Sequence, residues 1–106
     1  MRILFIFLDG VGLGTDDQRI NPFAFANTPN LDNLFGGRKL LAESAPFESS
    51  QASLLALDAS LGVAGLPQSA TGQAALLTGL NVPALIGEHY GPKPNPRIAE
   101  IIKADN

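Results

Sequence analysis

The chain has 106 residues, 45% of them hydrophobic and 16% charged, with a net charge of −3. That size allows one small domain or part of a larger one, and the composition excludes a disordered chain. The acidic balance without a basic patch argues against wholesale nucleic-acid binding. The lack of cysteine removes disulfides and thiolate metal sites, in keeping with a cytoplasmic protein.

Arg2 precedes the apolar run Ile3–Leu8, which ends in Asp9-Gly10. The run is too short for a bilayer span, and no small-residue cleavage site follows it. It reads as a strand buried on both faces, the usual first strand of an α/β domain. Gly10 to Thr15 is a glycine-rich turn, and Asp16 to Asn27 reads as loop.

Thr28 and Pro29 open a helix, with Leu31, Leu34 and Phe35 on one face and Gly36-Gly37 as its stop. Lys39 to Ala42 suits a short strand. Pro46 to Leu57 has no decisive pattern. Asp58 to Gln68 reads as loop. A second helix is predicted from Ser69–Gly72 to Thr78, ending at Gly79. Leu80 to Pro94 is rich in glycine and proline and reads as loop. Asn95 caps a last helix that Pro96 starts, with Ile98, Ile101 and Ile102 as its apolar stripe. Helices are thus predicted near 28–36, 70–79 and 96–104. The few strands are too little sheet for these helices, so the chain reads as the front of a longer protein or one that needs a partner.

Two segments carry chemistry. Asp9 ends the first apolar run, where α/β folds build their sites, and its carboxylate suits a divalent cation. An Asx-turn with Gly10 accounts for it equally well. The spacing Gly10-Val11-Gly12-Leu13-Gly14 is not that of a dinucleotide loop. Phe7 stands where a haloacid dehalogenase-like phosphatase carries its attacking Asp. Ser69 lies at the start of an Ala/Leu helix, where free amides favour a phosphate or developing oxyanion. Capping by Ser69 or Thr71 is the plain alternative. A serine needs a base or metal to become a nucleophile. His89 is the sole histidine and reads as a surface-loop imidazole. Asp16, Asp17, Asp32 and Asp58 are possible oxygen ligands, each with an ordinary loop or cap explanation.

Together the segments resemble the alkaline phosphatase superfamily of metalloenzymes. The carriers are Leu8-Asp9-Gly10, Thr28-Pro29-Asn30-Leu31-Asp32, and Ser69 to Gly79. In that superfamily a nucleophile stands ten residues before the glycine of a Leu-Leu-Thr-Gly-like helix end, the spacing of Ser69 and Gly79. Thr71 and Gln73 stand where sulfatases have Pro and Arg. Gly72 matches the mutase branch. Thr71-Gly72 is similar to phosphopentomutases, and Gly65-Leu66-Pro67 to cofactor-independent phosphoglycerate mutases. Both usually have His where Gln73 stands, which leaves substrate and mutase activity open.

The resemblance implies the N-terminal part of an alkaline phosphatase-like α/β sheet flanked by helices, incomplete within 1–106. It implies a phosphomutase or phosphatase working through a phosphoserine on Ser69. Two divalent cations, Mn²⁺, Zn²⁺ or Mg²⁺, are implied, with Asp9 and Ser69 on the same ion. The other ligands are expected from the C-terminal half. The expected partners are a small phosphorylated metabolite and either the missing C-terminal part or a second copy, with no nucleic acid or membrane. The alternative is a catalytically inactive fragment or binding domain of the same fold.

Overall fold

The computed structural model describes residues 1–105 as a mixture of short helices and one small antiparallel hairpin. Helix α1 is Pro29–Leu34, α2 Ser69–Thr78, α3 Val82–Ile86 and α4 Pro96–Asp105. Strands β1 (Phe47–Glu48) and β2 (Ser53–Leu54) pair antiparallel, Phe47 opposite Leu54. The chain divides into two compact units, one of residues 1–9 and 58–106, the other of residues 10–57.

In the first unit, α2, α3 and α4 pack around Ala70, Ala74, Val82 and Ile98. The alanines bring the α2 backbone close to its neighbours, and Ile98 and Val82 fill the space between, both with no exposed surface. The α4 stripe behaves as its periodicity predicts: Ile98 is buried, and Ile101 and Ile102 pack on the same cluster. Asn95 caps this helix through a 2.9 Å bond from the Ile98 amide to its Oδ1. Helix α2 ends at Gly79, whose φ of 73° few other residues adopt readily.

Helix α3 falls inside the stretch expected to be loop. Its signals are local: Asn81 Oδ1 accepts from the Ala84 amide at 3.2 Å, Pro83 sits in the first turn, and Gly87 ends it. Five residues are too few for a helical period to stand out against the surrounding Gly and Pro.

The expected interior strand Ile3–Leu8 is not formed. These residues have no assigned strand, and their side chains are exposed, from 36% at Phe7 to 83% at Leu4. A strand needs neighbours to take its amides and carbonyls, and among the described residues only β1 and β2 form a sheet. The apolar run marks a segment suited to burial, but nothing in its own unit covers it.

In the second unit the expected strand Lys39 to Ala42 becomes a single parallel bridge, Gly14 to Leu41, followed by a 3-10 turn, Ala42–Ser44. Thr28 precedes α1 without capping it; its hydroxyl donates instead to Asp32 Oδ1 at 2.7 Å. Lys39 Nζ donates to Asp32 Oδ2 and to the Ala26 carbonyl, both at 2.7 Å. The hairpin is tied by the Ser49 hydroxyl, which accepts from the Gln51 and Ala52 amides. Phe47 meets Phe35 edge-on, ring centroids 6.2 Å apart, and carries the Arg38 guanidinium 5.4 Å from its centroid.

Two outcomes are expected. Truncating Ile98 to Ala removes the side chain on which all three helices close. It should cost about 2–5 kcal/mol in urea unfolding. In the other unit, the Lys39 ammonium, then the Thr28 hydroxyl, hold the Asp32 carboxyl below its ordinary value of 3.8. A depressed folded value adds stability above the unfolded pKa and loses it as pH falls through the folded one. Stability should therefore decline below about pH 4, and Asp32→Asn should flatten that acid limb when unfolding is followed against pH.

Candidate functional site

The apolar segment delivers Asp9 to a turn at its end, and α2 starts at Ser69. The Ser69 hydroxyl donates to the Asp9 carboxylate, 3.1 Å from Oδ1 and 3.0 Å from Oδ2. The two residues are sixty positions apart in sequence. Asp9 is exposed and Ser69 half-buried, so the pair opens to solvent on one side.

This geometry separates the alternatives left open by the sequence. Ser69 is the first helical residue, the cap position is Gln68, and no side chain caps the helix. The Ser69 oxygen therefore faces Asp9 and not the amides of its own helix. Thr71 does not cap either. It is fully buried, and its Oγ1 lies 3.2 Å from the Gln68 carbonyl and 3.3 Å from the Tyr90 carbonyl. The first amides of α2 have no carbonyl one turn earlier to accept them, so the end of the helix nearest Ser69 is the positive end of its dipole.

Gly91 closes on this end. A Cβ at Gly91 would stand 3.0 Å from the Ser69 nitrogen and 3.3 Å from the Ala70 nitrogen, closer than side chains are normally tolerated. The contribution of residues 90 and 91 was not visible in the sequence, where they read as ordinary Gly/Pro loop.

Three of the other acidic candidates, Asp17, Asp58 and Asp32, have partners of their own. Asp17 takes Arg19 at 2.7 Å, and that bond holds its carboxyl below the ordinary value. Asp58 accepts the Ser60 hydroxyl at 2.6 Å and the Ser60 amide at 3.0 Å, with the same effect. Asp32 is held by Lys39 and Thr28. Asp16 lines a hollow of about 560 Å³ with Arg38, Lys39 and Glu43. His89, expected as a surface imidazole, is half-buried, its Nε2 3.1 Å from the Val63 carbonyl. It fastens the 58–67 loop, which Asn81 also holds through the Leu61 carbonyl at 2.9 Å.

Asp9 and Ser69 fit a hard divalent cation in donor chemistry: a carboxylate and a hydroxyl, both oxygen. Their separation of 3.0–3.1 Å is that of the hydrogen bond between them. They fall short in number, because no three His, Cys, Asp or Glu side chains gather to hold an ion among the described residues. No protein-family model, curated protein or solved structure matches the chain. No helix among the described residues is long and apolar enough to cross a membrane.

Because Ser69 does not cap α2, Ser69→Ala should change the unfolding free energy by no more than about 0.5 kcal/mol. A capping role would cost about 1 kcal/mol. Urea titration of the two proteins distinguishes these outcomes.

Proposed function

We propose that these residues form the N-terminal segment of a divalent-metal-dependent phosphoryl-transfer enzyme of the alkaline phosphatase superfamily. Its nearest likeness is the phosphoglycerate mutase and phosphopentomutase branch, and its substrate a small phosphorylated metabolite. The observation that supports this most is the approach of the Ser69 hydroxyl to the Asp9 carboxylate at the N-terminus of α2.

In this reading Ser69 Oγ is the nucleophile and Asp9 the carboxylate that accepts its hydrogen bond. A divalent cation bound by Asp9 and Ser69 would supply positive charge that favours the deprotonated hydroxyl. The exposed side of the pair leaves a path for a phosphomonoester. The helix dipole of α2 favours the negative charge of the phosphoryl group. Ser69 Oγ gives up its proton to solvent and forms a bond to phosphorus as the bond to the leaving oxygen breaks, and the departing alkoxide takes a proton back from solvent. A water or second hydroxyl then takes the phosphoryl group from phosphoserine 69, giving a phosphatase or a mutase respectively.

Two features support placing the remainder of the sheet and the ligand set outside these residues. Ile3–Leu8 is apolar and uncovered, and two oxygen donors are fewer than a stable two-metal centre requires. The same shortage favours the alternative of a non-catalytic domain with this local arrangement.

The 106-residue chain alone should bind at most one Mn²⁺ or Zn²⁺ weakly and give no phosphatase turnover above background. In the longer enzyme, Ser69→Ala should abolish the phosphoenzyme detected by mass spectrometry after incubation with phosphomonoesters. Phosphoenzyme persisting in that variant would remove Ser69 from the mechanism. Two tight metal sites with turnover in the short chain would show that the ligand set lies within it.

A further inference from the structure

A hydroxyl and a carboxylate this far apart in sequence meet only if the first turn of α2 is held at a fixed place. Thr71 is the buried polar residue of that turn, with no exposed surface. Its backbone amide donates to the Tyr90 carbonyl at 3.0 Å. Its hydroxyl accepts from the Tyr90 amide at 3.2 Å and has the Tyr90 and Gln68 carbonyls within 3.3 Å for its one proton. Both backbone polar groups of Tyr90 are thus satisfied by Thr71, nineteen positions earlier. The next residue, Gly91, lies so close that a Cβ there would stand 3.0 Å from the Ser69 nitrogen and 3.3 Å from the Ala70 nitrogen, a crowding the helix end would have to yield to.

We propose that Thr71, clamped to the Tyr90 backbone with Gly91 seated beside Ser69, is the positioning element that sets the Ser69 hydroxyl against Asp9. The proposal rests on the reading of Ser69 as nucleophile and adds the residues that aim it. Thr71 acts through Ser69 and touches no substrate. A valine at 71 keeps the shape but removes the hydroxyl that accepts from the part-buried Tyr90 amide, which loosens the loop from the helix end. An alanine at 91 keeps every Thr71 bond and pushes directly on the Ser69 backbone. The purely structural alternative is that Thr71 contributes stability and nothing to the site. Thr78 offers the control, since its hydroxyl donates to the Ala74 carbonyl at 2.7 Å at the other end of the same helix.

The test uses the full isotopically labelled chain and two NMR readouts: the Asp9 Cγ and Ser69 Cβ resonances without metal, then Mn²⁺-induced broadening at the same residues. Thr71→Val and Gly91→Ala should shift both resonances and weaken the broadening about tenfold or more. Thr71→Ser should restore the wild-type positions, and Thr78→Val should leave them in place even as it lowers thermal stability. Unmoved Asp9 and Ser69 resonances in folded Thr71→Val or Gly91→Ala overturn the proposal, as does an equal shift in Thr78→Val. Should Thr71→Val not fold, Gly91→Ala and Thr71→Ser decide. Absence of Mn²⁺ broadening in the wild-type chain would count against the metal reading of Asp9 and Ser69, while the metal-free resonances still decide the positioning role.

Discussion

The packing of Ile98 and Val82 against the alanine face of α2 is the constraint on which the first unit rests. Both side chains are wholly removed from solvent, and Ala70 and Ala74 provide the close surface they pack on. Larger side chains at those positions would push α4 and α3 outward, and buried volume cannot be added to a packed interior without strain. The adjoining side of the same turn carries Thr71, one position and about 100° round the helix from Ala70. The core and the Thr71–Tyr90 connection are therefore two sides of one helix turn, and Ser69 at its start takes its place from both.

The second unit is organised around polar contacts more than apolar ones. Lys39 joins the α1 carboxylate of Asp32 to the carbonyl of Ala26, and Asp32 in turn receives the Thr28 hydroxyl. The Lys39 and Asp32 side chains keep 33% and 18% of their exposure, so this is a shielded pair and not a freely solvated one. An uncapped α1 of six residues has little intrinsic stability. The contact from Lys39 supplies part of what the missing cap does not. That explains why a Thr-Pro pair that reads as a cap serves instead as one corner of a charged network.

What was legible in the sequence was what local chemistry decides. Asn95-Pro96 with the isoleucine stripe gave α4, and Gly79 gave the end of α2, because caps and left-handed stops act within a few residues. Asp9 and Ser69 were picked out as chemically suitable, and the resemblance raised the expectation that their side chains approach each other. Apart from the short helix α3, whose five residues are too few for a period to show, and the Thr28 cap, the failures are non-local. Ile3–Leu8 has the composition of a buried strand, yet composition cannot supply the neighbouring strands that make one. The Asp16, Asp17, Asp32 and Asp58 carboxylates looked equivalent as ligands, and only the structure shows which already have Arg19, Lys39 or Ser60 beside them. Tyr90 and Gly91 act through their backbone and through the lack of a side chain, which no residue-type pattern announces.

The exposure of Ile3–Leu8 bears directly on the chemistry, because Asp9 is the next residue. A hydrogen bond open to solvent lies at the low end of the usual range, about 0.5 kcal/mol net, so the Ser69–Asp9 contact alone holds the two groups together by well under about a factor of ten. Catalytic geometry must be held within about 0.5 Å by packing around it. Ser69 has that packing through α2, Thr71 and Gly91, whereas Asp9 stands at the end of a segment whose apolar side chains meet water. Each such side chain gains about 1.5–3 kcal/mol on burial, so strands laid on either side of residues 3–8 would fix Asp9 far more firmly than Ser69 can. The Ser69 hydroxyl is thus placed by packing within this chain, and the rigidity of Asp9 beside it depends on whatever surface covers the segment before it.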